Sequence, residues 1–377
     1  MSLFSEWSFW FSLVCLLVGI FLFWRIPTLR TGENNNQQKF SNTEVSVIIP
    51  ARNEETRIGK LLESLKNQTL IPSEVLVVND HSSDGTTALV ESMGYRVLES
   101  QALPEGWTGK NWACWQGAQV SKGDILVFLD ADVWLDTHGL ARIVSKFEEN
   151  RGLISIQPFH YTQSVYEQFS CFFNIILMMS TNAFTPLGEK VPSNGGFGPC
   201  IACTRDDYFT AGGHKESRKA VLESIPLAAA FQKQNINVNL FGGRHFVFFR
   251  MYPNGLADLI EGWSKGFSRG ATTLKWPFLI LIVGWVWGCF HVTSGLIKAA
   301  FGDGLPLYAA SGLFFLLALE IYWMLRRIGN FHILTALFFP IPLIFFALIM
   351  LYSFILNFII RRVTWHDREI PQDKNTS

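Results

Sequence analysis

The chain has 377 residues, which is enough for a substantial domain and additional elements. Its 31 Lys and Arg residues balance 31 Asp and Glu residues, so no net positive field favours nucleic acid as a partner. Hydrophobic residues make up 49% of the chain and form blocks at both ends around a centre of mixed polarity, a layout typical of membrane proteins.

The first predicted element is an apolar block without charge at residues 7–24. About 18 apolar residues can span a hydrocarbon core of roughly 30 Å. No basic region precedes the block and no small-x-small site follows it, so we predict an uncleaved anchor rather than a signal peptide. Arg25, Arg30 and Lys39 follow directly and favour a cytosolic position for the centre of the chain.

The centre alternates strand and helix patterns, which predicts a mainly parallel sheet with helices on both faces. Residues with β-propensity cluster in short apolar runs, and apolar residues at helical spacing separate them. The predicted strands are 45–49, 75–78, 96–98, 125–129 and 153–157, and the predicted helices are 58–65, 86–93, 111–120 and 137–149.

Polar residues follow three of these strands, at residues 50–55, 79–86 and 130–132. Because ligands of open α/β sheets bind beyond the carboxyl ends of the strands, the three polar ends together predict a site. Asp130 and Asp132 are two positions apart on extended backbone, so both carboxylates point to one side and can share a divalent cation that clamps a diphosphate. Neither a P-loop nor a Gly-x-Gly-x-x-Gly motif is present, which disfavours an ATPase or a dinucleotide enzyme.

These motifs, in this order, resemble glycosyltransferase family 2, whose members use nucleotide sugars and have the GT-A fold. The resemblance covers residues 45–270 and rests on Val-Ser-Val-Ile-Ile-Pro-Ala-Arg-Asn-Glu-Glu, Val-Val-Asn-Asp-His-Ser-Ser-Asp-Gly-Thr and Asp-Ala-Asp. It implies that a UDP-sugar is the donor, and that Mg²⁺ or Mn²⁺ bridges the diphosphate. By position it implies a nucleotide pocket lined by Pro50, Arg52 and Glu54, a uracil contact from Asp80, and metal coordination by Asp132 with Asp130 beside the ribose and metal.

Lys110, in Gly109-Lys110-Asn111, resembles a residue that many relatives place near the donor phosphates. A lysine at a helix start can bind phosphate together with nearby backbone N–H groups. The alternative is a surface lysine between packing tryptophans.

The acceptor half shows both a similarity and a departure. The run from Gly198-Pro199-Cys200 to Gly212-Gly213-His214 resembles bacterial members that glycosylate the carboxylate of a C30 carotenoid acid, and His214 is expected to shape the acceptor side or to be a core histidine. Relatives commonly carry Glu-Asp about ten residues later, with the Asp as catalytic base, whereas this chain has Glu223-Ser224. Glu223 is open to three roles: the base, a positioning group for the acceptor, or a helix cap.

A carboxylic acid acceptor is consistent with the missing Asp, because an acid with a pKa of about 4 to 5 is already an anion at cytosolic pH. Trp263 and Lys265, in a Gly-Trp-Ser-Lys segment, are expected to stack on acceptor or sugar and to approach the diphosphate, or alternatively to serve as an aromatic-belt residue and a positive-inside charge. The nearly uncharged residues 169–184 predict either an interfacial helix at an acceptor groove or a core helix.

Three apolar blocks close the chain, at residues 278–297, 305–325 and 331–360, and Pro340 and Pro342 interrupt the last. In a cytosolic protein the six Cys do not form a disulfide framework, and they lack zinc spacing. Cys200 and Cys203 have redox spacing but no helix start of the thioredoxin kind, so the Cys are predicted to be buried small hydrophobes. The predicted division is an anchor at 1–25, a linker at 26–44, a GT-A domain at 45–275 with its nucleotide-sugar half at 45–135 and acceptor half at 136–275, a membrane region of about three helices at 276–362, and a polar tail at 363–377.

The sequence therefore predicts an α/β protein with a cytosolic, Rossmann-like GT-A domain and transmembrane helices at both ends, located as a multi-pass protein of the cell membrane. The expected function is inverting transfer of a single sugar, glucose, from a UDP-sugar to a lipid acid, with no nucleic acid partner. The alternatives are transfer to another lipid, such as diacylglycerol, ceramide or a polyprenyl phosphate, and a noncatalytic membrane scaffold.

Overall fold

A computed structural model of the protein describes residues 3–29, 43–149, 151–272 and 274–356, together with 364–365 and 368–369. The strands are β1 (Val45–Ala51), β2 (Glu74–Asn79), β3 (Arg96–Glu99), β4 (Ile125–Leu129), β5 (Val133–Leu135), β6 (Leu153–Gln157), β7 (Phe159–His160), β8 (Cys200–Thr204), β9 (Val238–Gly242), β10 (Val247–Phe249), β11 (Thr364–Trp365) and β12 (Arg368–Glu369). The helices are α1 (Leu3–Leu22), α2 (Ile58–Lys66), α3 (Thr86–Ser92), α4 (Gly109–Val120), α5 (Gly139–Glu149), α6 (Cys171–Ser180), α7 (Arg205–Thr210), α8 (Ser224–Lys233), α9 (Leu256–Thr272), α10 (Trp276–Ala300), α11 (Leu307–Ile328), α12 (Ile333–Leu337) and α13 (Pro340–Phe354).

The chain forms two compact units that are not consecutive in sequence. The sheet unit comprises Pro27–His160 and Gly195–Met251, and the helical unit comprises Met1–Ile26, Tyr161–Asn194 and Tyr252–Ser377. Residues 161–194, expected in the acceptor half of the central domain, therefore group with the terminal helices.

The sheet unit is built on seven strands in the order β3-β2-β1-β4-β8-β6-β9. All neighbouring strands are parallel except at β8, which pairs antiparallel with both β4 and β6. The predicted mainly parallel sheet is confirmed, with β8 as an unpredicted antiparallel insertion. A second, smaller sheet has the order β5-β10-β7.

Alternate residues of the buried strands enter two separate cores, because successive side chains of a strand point to opposite faces. Val47 and Val127 pack in one core with α2 and α5, while Ile48 and Phe128 pack in the other with α4, α7 and α8. Helices therefore cover both faces, as the alternating pattern predicts. All six cysteines are free and buried, and Cys200 and Cys203 lie in β8, one in each core.

Within the described residues, the helical unit has two helices that are long and apolar enough to cross a membrane, α10 and α11, and two shorter apolar helices, α1 and α13. The predicted break before Pro340 is confirmed, since α12 ends at Leu337 and α13 begins at Pro340. The side chain of Glu320 in α11 is buried beside Gly19 of α1 and Trp285 of α10.

Candidate active site

The ends of β1 and β2 are bound together around Asp80. Its backbone N–H donates to the Ala51 carbonyl at 2.8 Å, and Arg52 Nη1 donates to the Asp80 carbonyl at 3.0 Å and lies 3.5 Å from Asp80 Oδ2. The Asp80 side chain is buried, and Gly109 at the start of α4 packs so closely that a Cβ there would lie 2.1 Å from Asp80 Oδ2. Asp80 is thus fixed at the carboxyl edge of the sheet, where the sequence predicts the nucleotide pocket.

The loops that follow these two strands are linked by side chain to backbone hydrogen bonds. Asn53, at a φ of 56°, accepts from the Ser83 N–H at 2.8 Å and donates its own N–H to Ser82 Oγ at 3.0 Å. The Glu54 N–H donates to Thr86 Oγ1 at 2.8 Å. Serine and threonine oxygens here connect loops rather than only cap α3, so the polar ends form one rigid surface.

Carboxylates accumulate at the end of β4 and beside it. The side chain of Asp132 is half-buried, and burial together with the neighbouring Asp130 raises the pKa of Asp132 to about 7. Burial raises the pKa of Glu54 to about 8; Arg57 opposes this rise, while the two aspartates add to it. Both pKa shifts reflect the free-energy cost of holding negative charges close together where burial reduces their hydration.

A divalent cation fits this site because it would relieve that repulsion. Among the described residues, no three His, Cys, Asp or Glu side chains are close enough to enclose a metal ion. Mg²⁺ commonly takes only one or two protein carboxylates and completes its shell with water and substrate phosphates. Asp132, with Asp130 beside it, is a donor set of that kind.

Lys110 joins two carboxylates from distant parts of the chain. Its Nζ lies 2.8 Å and 2.9 Å from the two oxygens of Asp130 and 2.6 Å from Glu223 Oε1. Burial disfavours the ammonium charge, but Asp130 and Glu223 outweigh it and hold the pKa of Lys110 above its usual range. Lys110 is therefore a member of the site and not a surface lysine.

Glu223 is held as an anion by this contact. Burial on its own would raise the pKa of Glu223, but the Lys110 ammonium and its hydrogen bond outweigh burial, so the pKa is lowered. Glu223 stands at the N-cap position of α8 without making a side-chain cap hydrogen bond. The structure therefore does not support a helix-cap role for the Glu223 side chain.

His214 lies in the core behind Phe128 rather than on an open surface. Only 1% of the residue is exposed, Nδ1 and the Tyr208 hydroxyl are 2.9 Å apart, and the ring centroid is 4.9 Å from that of Phe128. Burial lowers the pKa of His214 to about 4, so the ring is neutral near pH 7. This placement favours the core-histidine alternative over direct contact with a substrate.

Trp263 belongs to the helical unit and is buried there. Its ring stacks on Phe173 with centroids 4.7 Å apart and an interplanar angle of 15°, and Nε1 donates to Ser170 Oγ at 3.0 Å. Because Phe173 already occupies one ring face, this geometry favours packing over stacking on a sugar. Lys265 lies on α9, and its side chain is outside the described residues.

Asn111 lies beside Lys110 and contacts the segment before Glu223, and the sequence did not single it out. Its side chain is buried, and Nδ2 lies 2.6 Å from the Ser217 carbonyl oxygen and 3.1 Å from that of Ala220. In the sequence, the position of Asn111 beside Lys110 could have drawn attention to it. Its partners could not be predicted, because they are backbone carbonyls about a hundred residues away.

Three comparisons relate the chain to known proteins. Residues 46–198 match the family described as Glycosyl transferase family 2. The chain is 36% identical over 330 residues to a protein of Staphylococcus haemolyticus (strain JCSC1435) named 4,4'-diaponeurosporenoate glycosyltransferase, covering 86% of this chain and 88% of that one. It is 32% identical over 367 residues to a protein of the same name from Staphylococcus aureus (strain N315), covering 96% of each.

Among solved structures, the chain is similar to a mannosyltransferase from Pyrobaculum calidifontis in complex with GDP-Man and Mn²⁺. The TM-score is 0.56 with 17% sequence identity, and the alignment covers 93% of this chain and 99% of that one. At this identity the similarity shows a shared fold.

Proposed function

Because the chain belongs to glycosyltransferase family 2, and is therefore a glycosyltransferase, we propose that it transfers a single glucose from UDP-glucose to the carboxylate of a C30 carotenoid acid at the cell membrane. The observation that carries the acceptor assignment is the 2.6 Å contact between Lys110 Nζ and Glu223 Oε1. The names of the two staphylococcal relatives support the same acceptor class.

On the donor side, Asp80 would accept a hydrogen bond from the uracil ring, with Pro50, Arg52 and Glu54 around it. Asp132, with Asp130 beside it, would hold Mg²⁺ or Mn²⁺, which when bound supplies positive charge for the departing diphosphate. Lys110 adds a cation next to Asp130. Because these groups are held in position before the reaction, they would stabilise the negative charge that develops on the departing diphosphate without first having to move.

On the acceptor side, the proposed step needs no base. A carboxylate oxygen of the acceptor forms a bond to the anomeric carbon while the bond from that carbon to the UDP oxygen breaks, and UDP leaves with the electron pair. A carboxylic acid is already ionised near pH 7, so no proton has to be removed during attack. An alcohol would need a base, and Glu223, paired with Lys110 and with a lowered pKa, is a poor one.

Membrane attachment is part of the proposal. The apolar helices α1, α10, α11 and α13 would lie in the bilayer. A hydrophobic acceptor dissolved in the lipid could then reach the enzyme without leaving the membrane. Arg25 after α1 and Arg326 and Arg327 at the end of α11 favour a cytoplasmic position for the sheet unit.

Mass spectrometry of lipids from a host that supplies C30 carotenoid acids tests the function. A glycosyl ester should appear when the chain is expressed and should be absent with Asp132→Ala that still folds. Purified protein given labelled UDP-glucose with carboxylate, alcohol and phosphate lipids in parallel identifies the acceptor class. Exclusive use of diacylglycerol, ceramide or polyprenyl phosphate would refute the acid acceptor, and no transfer or hydrolysis of UDP-glucose at all would refute the donor.

A further inference from the structure

The loop formed by residues 217–223, called here the Glu223 loop, carries Glu223 to Lys110 and is mostly exposed. Only Ser217 and Glu223 are buried in it, and Arg218, Lys219 and Leu222 are exposed. Within the loop, the Ala220 N–H donates to the Ser217 carbonyl at 2.8 Å. A loop of this kind depends on neighbouring elements for a fixed position.

The first turn of α4 contacts the loop. The Thr108 N–H donates to the Arg218 carbonyl at 2.8 Å, Lys110 pairs with Glu223, and Asn111 Nδ2 meets the carbonyls of Ser217 and Ala220. The Arg218 carbonyl oxygen lies farther from Nδ2, at 3.5 Å. An amide nitrogen has two hydrogens, so the two nearer carbonyls use the full donor capacity of Asn111. The same turn also contacts the donor side, since Lys110 binds Asp130.

We propose that Asn111 is a positioning residue that fixes the Glu223 loop for the acceptor and leaves donor binding untouched. Its side chain is buried, and its nitrogen donates to carbonyl groups of the loop. Loss of its two N–H donors frees the loop, so Glu223 loses its fixed position, while Lys110 keeps its contacts with both oxygens of Asp130 on the donor side. A misplacement of about 1 Å in a reacting group can cost on the order of 100-fold in rate.

The test is Asn111→Asp in the full-length protein in lipid nanodiscs, because the carboxylate keeps the shape but sets an oxygen against two carbonyl oxygens. Two quantities are measured: hydrogen–deuterium exchange of the Glu223 loop without substrate, and the ratio of lipid glycosylation to UDP-glucose hydrolysis. We expect faster exchange in the loop, a rise in acceptor KM, and a fall in the transfer-to-hydrolysis ratio of about 10- to 100-fold.

Gln68→Glu is the matched control. Gln68 is also a buried amide of the sheet unit, and its Nε2 donates to the Ser64 and Asp136 carbonyls at 2.9 Å and 2.7 Å. It should reduce thermal stability without changing the transfer-to-hydrolysis ratio. If Asn111→Asp does not fold, Asn111→Ala removes the donors without adding a charge and gives the same readings.

Unchanged exchange in the Glu223 loop, or equal losses of transfer and hydrolysis, would overturn the positioning role. The choice of a carotenoid acid as substrate rests on the proposed function, but the exchange measurement needs no acceptor. A wild-type protein that hydrolyses UDP-glucose and never glycosylates the acid would refute that function alone, and loop exchange in the Asn111 variants would still decide this inference.

Discussion

Lys110 pairs with two carboxylates at once, and its single positive charge is shared between Asp130 and Glu223. Asp130 contacts Lys110 through both of its oxygens, and Glu223 is kept ionised by a cation at 2.6 Å. A general base is most effective when its pKa lies near the working pH. The pKa of Glu223 is lowered instead, which favours a binding role over the role of base in the transfer that we propose.

The substitution Glu223→Gln tests whether Glu223 acts as a base or only positions the acceptor. If Glu223 only positions the acceptor, the amide can still occupy the same place, and glycosylation of a carboxylate lipid should fall by less than about tenfold. Removal of a true general base costs on the order of 100- to 10,000-fold. Initial rates with carboxylate and alcohol lipids, at saturating UDP-glucose, distinguish the two. A loss above 100-fold on the carboxylate lipid would contradict the ion-pair interpretation.

At the scale of elements, the start of α4 is where donor and acceptor sides are joined. Gly109 permits this because any Cβ would lie 2.1 Å from Asp80 Oδ2 and 3.1 Å from Asp80 Cγ. The sequence predicts this helix only from Asn111, whereas it begins at Gly109 and places Lys110 in its first turn.

We expect Gly109→Ala to displace the Asp80 carboxylate and raise the KM for UDP-glucose by about tenfold or more, equivalent to about 1.4 kcal/mol. Gly59→Ala in α2 is the control, because its Cβ would meet nothing nearer than Leu89 Cδ2 at 3.8 Å. The control should keep the wild-type KM and gain up to about 1 kcal/mol in stability. Equal KM values in both variants would show that Asp80 does not depend on the close approach of α4.

Much of the element pattern could be predicted from the sequence, because it depends on local periodicity. Strands β4 and β6 match their predicted bounds, and α2 extends the predicted helix by one residue. Strand β8 was not predicted, since Cys-Ile-Ala-Cys-Thr is short and made of small residues that have no strong periodicity. Its antiparallel direction follows from pairing with β4 and β6, which are far away in the chain.

At the scale of the whole molecule, α1 is packed as a structural part of the helical unit. Ser8 Oγ lies 2.8 Å from His291 Nε2, and a Cβ on Gly288 would lie 2.4 Å from the Cβ of Cys15. Close approach of helices at small residues is the packing that bilayers favour. These contacts support the uncleaved anchor that we propose.

Gly19→Ala should destabilise this packing, since the new Cβ would lie 2.0 Å from Glu320 Oε1 and 2.3 Å from Trp285 Nε1. Overpacking of this kind costs about 1–3 kcal/mol. Thermal unfolding in detergent, followed by tryptophan fluorescence, measures the loss. Gly312→Ala in α11 is the control because a Cβ there meets nothing within 4 Å, and identical unfolding curves for both variants would contradict the role of α1.

The sequence by itself determined the family, the strand-and-helix alternation and the Asp130-Ala131-Asp132 motif, because each depends on residues close together in the chain. Only the tertiary structure decided that Lys110 lies between Asp130 and Glu223, that Asn111 binds the Glu223 loop, and that His214 and Trp263 are buried. Those relations join residues far apart in sequence, and their energies depend on distance and burial, which the order of residues alone does not give.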